Sequence, residues 1–121
     1  MAIKLKVAVV VLADTETREG MGRVANALVA VKEFKDADDD VQLIFDGAGV
    51  KWAVDLTKPN HKLHGLYEAV KDHVSGVCDY CAGAFDVQGA VKACSVPLLN
   101  EYDKHPSFRK LVMSGYQVIT F

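Results

Sequence analysis

The stretch "KVAVVVLA", Lys6 to Ala13, decides the fold. Its apolar residues are consecutive and rich in valine instead of alternating, so a strand here must be covered on both faces, as central strands of a parallel sheet are. A parallel neighbour requires a crossover, and the next segment supplies one. "MGRVANALVAVKEFK" sets Val24, Ala27, Leu28, Val31 and Phe34 at helical spacing before the charged "DADDD" ends the pattern. "VQLIFDG", Val41 to Gly47, is a second β-rich run closed by Asp-Gly. "VKWAVDL" reads as a short apolar helical piece stopped by Pro59. Asn60 is expected to cap a helix that reaches about His73, with Leu63, Leu66, Tyr67 and Val70 sharing one face.

"VSGVC", Val74 to Cys78, is the third strand, followed by a helix expected from near Ala82 to about Ala93. "CSVPLL" reads as an edge strand, because Pro97 has no N–H to give to a ladder. Pro106 and Gly115 bracket a helix in "PSFRKLVMSG", which is expected to turn Phe108, Leu111 and Val112 inward. "YQVITF" closes the chain as a last strand. Strands alternating with helices over short connections specify α/β: a single three-layer α/β/α domain over residues 1–121, built on a mostly parallel sheet.

Composition narrows the function classes. A chain of 121 residues can bury about two thirds of the surface its unfolded form exposes, so neither metal nor disulfide is needed to hold it. Half the residues are apolar and a quarter charged, which excludes a disordered chain. A net charge of -2 provides no basic field for nucleic acid or anionic lipid. The run Val7 to Ala13 is too short to span a bilayer, and it continues into acidic residues with no A-x-A-like cleavage site, so it reads as a strand and not as a signal peptide. Three cysteines, an odd number, make no disulfide framework, and a reducing cytoplasm is the expected compartment.

In such folds reactive groups collect beyond the carboxyl ends of the strands. Three segments converge there: "DTETREG", "DGAGVKW" and "DYCAG". Cys78 closes its strand and is committed to the sheet, whereas Cys81 falls at the start of the next helix, where free N–H groups and the helix dipole favour a thiolate. Cys81 is therefore the expected nucleophile, Cys78 its candidate resolving partner, and Cys94 a packing residue. A zinc site would need two further ligands, and nothing sets His61, His64, His73 or Cys94 beside the pair, so no metal is expected. The four histidines read as surface residues.

A different class, a small-ligand or nucleotide-binding module, would use Asp14, Thr15 and Thr17 of the first loop, Asp46, Gly47 and Gly49 of the second, and Gly83. "TETREG" resembles the T-x-T phosphate loop of flavodoxins, but Glu16 and Glu19 stand where a dianion would sit, so it reads as a solvated loop and helix cap. The apolar set Val50, Trp52, Ala53, Val54 and Leu56 exceeds what one inward face needs, and Trp52 is the expected anchor of a subunit contact.

"CDYCAGAFDV" followed by "CSVPLLNEYDKHPSFRKLVMSGYQVITF", together with "ADTETREGMGRVANAL" and "LIFDGAGV", resembles the DsrE/DsrF-like family of small sulfur-relay proteins over nearly the whole chain. The resemblance implies a Rossmann-like three-layer domain with a five-stranded parallel sheet, assembled as a homo-oligomer, a trimer or hexamer. It implies that Cys81 carries a persulfide between sulfur donor and acceptor proteins, with no metal or organic cofactor. Relatives often have Arg-Gly where this chain has "FDVQG". The nearest enzyme alternative is a dithiol oxidoreductase using Cys78 and Cys81.

Overall fold

The computed structural model describes residues 3–121. The valine run forms β1 (Lys6–Val11), and the periodic segment after it forms α1 (Arg18–Asp36), whose N-cap Thr17 accepts the Gly20 N–H at 2.8 Å. β2 (Asp40–Phe45) leads into a 3-10 turn (Gly47–Lys51) continuous with α2 (Trp52–Asp55). There follow α3 (His64–Val70), a second 3-10 turn (Lys71–His73), β3 (Val74–Cys78), α4 (Asp79–Ala84) and α5 (Gln88–Ala93). β4 (Leu98–Leu99), α6 (Phe108–Met113) and β5 (Gln117–Thr120) complete the chain.

The five strands run in the order β4-β3-β2-β1-β5 and every pairing is parallel, so the fold is the expected three-layer, Rossmann-like α/β/α arrangement. The steps from β1 to β4 all move the same way across the sheet, and right-handed crossovers then put α1 to α5 on one face. The return from β4 to the far side of β1 puts α6 on the other. The two cores differ in size for that reason. Val7, Val9, Val11, Leu43, Phe45 and Val77 pack against the first group of helices, whereas Ala8, Val10 and Ile44 have Leu111 of α6 over them.

The structure corrects four local expectations. Residues 82–93 are two helices: α4 starts at Asp79, and Asp86 breaks the run with φ 57. Val87 N–H bonds to Ala82 C=O at 2.9 Å and Asp86 N–H to Gly83 C=O at 3.1 Å, a Schellman stop in which Asp stands in for the usual glycine. Asn60 caps nothing, because α3 begins at His64 after a run of turns. On α6 only Leu111 is buried, while Phe108 and Val112 face outward. Trp52 is 1% exposed, with Nε1 donating to Ala13 C=O at 2.8 Å, so it fills this chain's own core and anchors no subunit contact.

Candidate functional site

β2 ends at Phe45 and delivers Asp46, whose backbone N–H bonds to Val11 C=O at 2.9 Å and whose Oδ1 accepts the Gly47 N–H at 2.8 Å. That carboxylate caps the 3-10 turn, and the turn presses so closely on β1 that a Cβ on Gly49 would lie 2.2 Å from Val11 O. β3 ends at Cys78, which is also the N-cap of α4, its Sγ accepting the Cys81 N–H at 3.5 Å. The C-x-x-C spacing is thus a capping geometry: the first thiol closes the strand and the second sits in the first helical turn, 3.5 Å from Asp46 Oδ1, to which it donates.

The fourth member comes from the loop after β4. Tyr102 and His105 pair through two backbone hydrogen bonds of 2.9 and 2.8 Å. Asp103 and Lys104 between them are both left-handed, with φ 47 and 66, the combination a two-residue hairpin turn demands. Lys104 C=O accepts the Tyr80 N–H at 2.9 Å, and the Tyr80 ring lies 4.9 Å from the imidazole of His105. The loop is therefore clamped to the start of α4, and His105 Nδ1 stands 3.2 Å from Cys78 Sγ.

One donor atom from each of Asp46, Cys78, Cys81 and His105 lies within 4.8 Å of all the others. Cys78 is fully buried and Asp46 nearly so, while Cys81 and His105 are partly exposed. Burial pushes the Cys78 thiol far above the ordinary cysteine range, a shift only partly offset by the Cys81 N–H. Cys78 therefore remains a thiol at neutral pH, and the sulfur that can meet another molecule is Cys81, with Asp46 placed to take its proton.

The remaining candidates lie around this cluster. Asp14 pairs with Lys51 at 2.6 Å, and Glu16 lies 3.7 Å from the same ammonium. The hydrogen bond to Lys51 holds Asp14 below the usual carboxylate range, and Asp14 in turn raises Lys51. Thr15 N–H bonds to Asp14 Oδ1 at 2.6 Å, and Thr17 is the α1 cap. Lys51 also sits 5.4 Å over the Phe85 ring, so the first loop is tied to the site's rim but contributes no group to the cluster. Gly47 and Gly49 shape the Asp46 turn, and Gly83 is exposed on α4 with open space beside it. Cys94 lies 3.9 Å from Thr57 Oγ1, outside the cluster.

Two expectations about histidine fail. His61, His64 and His73 are partly buried and tied to backbone: His61 Nδ1 accepts the Leu63 N–H at 3.0 Å, and ring nitrogens of His64 and His73 lie 2.9 and 3.1 Å from the carbonyls of Leu56 and Val41. His105 stands beside the cysteines, where no histidine was expected. The loop that follows β4 ends at the same edge as those after β1, β2 and β3, and counting it with them would have brought His105 to the site.

Among the described residues no helix is long and apolar enough to cross a membrane. No family model and no solved structure matches the chain. The chain is 34% identical over 104 residues to the uncharacterized protein MJ0733 of Methanocaldococcus jannaschii, a match covering 86% of this chain and 84% of that protein. It belongs to the same family as MJ0733.

Proposed function

We propose that this member of the MJ0733 family is a cytoplasmic sulfur-relay protein in which Cys81 accepts sulfane sulfur as a persulfide and passes it on. The observation that carries the reading is the pairing of a partly exposed Cys81 thiol with the buried Asp46 carboxylate at 3.5 Å. The resemblance of "CDYCAGAFDV" to DsrE/DsrF-like proteins supports it, since those residues form the β3–α4 junction that carries the thiol.

Asp46 accepts the Cys81 proton, and the thiolate attacks the outer sulfur of a donor persulfide, R–S–SH. A bond forms between Cys81 Sγ and that sulfur as the donor's own S–S bond breaks; the donor departs as a thiolate and recovers a proton. No net oxidation occurs. Delivery is the same exchange, with an acceptor thiolate attacking the outer sulfur of Cys81. Cys78 fits a dithiol oxidoreductase less well, because burial disfavours the thiolate that would have to displace sulfur from Cys81.

The same reading includes a homo-oligomer, and with Trp52 internal, its support moves to α6. Val112 and Met113 are 65% and 69% exposed there, beside Tyr102 at 69%, on the side of the sheet with the smaller core. A second copy packed on α6 would cover them.

The experiment is sulfur loading followed by intact-mass measurement. Incubated with a sulfane-sulfur donor, the native protein and Cys94→Ser should each gain one reducible sulfur per chain, Cys78→Ser should keep its adduct, and Cys81→Ser should gain none. If Cys81→Ser loads as well as the native protein, the reading is wrong.

A further inference from the structure

We infer that Asp46, Cys78, Cys81 and His105 form a four-coordinate site for Zn2+. The inference is independent of the sulfur-carrier reading, since it uses all four side chains and not the reactivity of one. A tetrahedral ion with Zn–S near 2.3 Å and Zn–N or Zn–O near 2.0–2.1 Å spreads its donor atoms about 3.3–3.8 Å apart. The cluster already approaches those edges: 3.2 Å from Cys78 Sγ to His105 Nδ1, 3.5 Å from Cys81 Sγ to Asp46 Oδ1, and every donor within 4.8 Å of the rest. Side-chain adjustments of a few tenths of an ångström to about one ångström would complete the tetrahedron.

The chemistry of the set selects the ion. Two sulfurs and an imidazole are poor ligands for Mg2+ or Ca2+, which require six or more oxygens, whereas mixed sulfur, nitrogen and carboxylate donors suit Zn2+. Burial favours the same conclusion, because Cys78 and Asp46 have almost no contact with solvent and a divalent cation would neutralise most of the charge gathered there. The donors arrive from three places in the chain, and each is braced. Gly47 N–H holds Asp46, Cys81 N–H points at Cys78 Sγ, and Tyr80 packs on the His105 ring while its N–H fastens the hairpin through Lys104. Such outer contacts orient ligands in metal sites.

Four protein ligands leave no open position, so the ion would lock the loop after β4 onto the β2 and β3 ends. Loading exchanges thiol protons of Cys78 and Cys81 for one Zn2+, with no change in oxidation state. A zinc-bound Cys81 sulfur is not free to take up sulfane sulfur, so the two occupants exclude each other.

The test uses full-length protein stripped with a chelator under reductant, titrated with Zn2+ against a chromophoric competitor, and with Co2+ as a spectroscopic probe. One Zn2+ should bind per chain, and Co2+ should give thiolate charge-transfer absorption with the visible bands of a tetrahedral ion. Outer-sphere changes at zinc sites cost about 10–100-fold in affinity, so His105→Ala, which removes a ligand, should weaken binding by at least about 100-fold. The near-isosteric Asp46→Asn should weaken it too, and decides the matter if His105→Ala fails to fold by circular dichroism. Binding below one equivalent, or equal affinity in a folded ligand variant, overturns the site. Sulfur loading of the metal-free native protein separates the two readings: normal loading beside absent zinc binding by that native protein removes the metal site alone, and zinc binding beside absent loading removes the carrier alone.

Discussion

Gly49→Ala is the sharpest test of how the fold builds the site. The added methyl carbon would lie 2.2 Å from Val11 O and 2.9 Å from Val11 C, about 1.2 Å short of the 3.4 Å at which ordinary contact with that oxygen begins. Both obstacles are backbone of a central strand, so the 3-10 turn must lift instead. Lifting it competes with the bond from Asp46 N–H to the same Val11 carbonyl. Strain from overpacking costs about 1–3 kcal/mol, and a buried backbone pair left unmade about 1–3 more, so we expect a loss of about 2–6 kcal/mol. With an unfolding entropy of about 2.1 cal/mol/K per residue, that lowers the melting temperature by about 8–24 °C for a chain of 121 residues. Gly22→Ala is the control, since Gly22 is exposed in α1 with nothing within 4 Å of the new carbon, and it should stabilise by about 0.5–1 kcal/mol. Calorimetry on both variants decides the point. A Gly49→Ala protein that melts within about 2 °C of the parent would refute the packing argument.

Trp52→Phe should cost about 2–3 kcal/mol in chemical denaturation, from lost volume and the lost bond to Ala13 C=O, and leave the association state unchanged by light scattering. Burial pushes Tyr67 up to about 12, so the unfolded chain loses this proton first as pH rises past about 10, and stability should fall between these values by at most about 2–3 kcal/mol. Denaturation midpoints of Tyr67→Phe over the same range should lack that component of the fall. Alkylation near neutral pH, mapped by peptide mass, should modify Cys81 well before Cys78, which is buried and held as a thiol; equal rates would contradict the site geometry. If a second copy covers α6 as proposed, Val112→Glu with Met113→Glu should leave a monomer by light scattering at nearly unchanged melting temperature, because both side chains are exposed within one chain; a monomeric native protein would overturn that part of the proposal.

The sheet was legible because its signal is local. A short consecutive run rich in β-branched valine reads as a strand covered on both faces, and a nineteen-residue α1 carries enough periods to identify itself. The double helix after β3 was not, because the stop at Asp86 uses a left-handed aspartate where sequence reading looks for glycine. Trp52 was misplaced for want of tertiary context: the apolar excess around it matches a short helix sunk across the carboxyl edge of the sheet, where it closes the core beneath Ala13. On α6 the pattern of Phe108, Leu111 and Val112 suggested a wide inward face, yet the sheet beneath offers small Ala8 with Val10 and Ile44, and Leu111 suffices to cover them. Cys78 and Cys81 could be read as a pair from spacing alone. Their neighbours could not, since Asp46 is 35 residues from Cys81 and His105 is 27 from Cys78, and only the parallel topology brings those loops to one edge.

The most direct test of the central claim, that Cys81 is the thiol that carries sulfur, is the site of the sulfur itself. Protein exposed to a sulfane-sulfur donor, capped with an alkylating reagent and digested without reductant, should yield a peptide spanning Cys78 and Cys81 with one extra sulfur whose fragments place it on Cys81. Extra sulfur found on Cys78 or Cys94 instead, or spread equally over all three, would contradict the account.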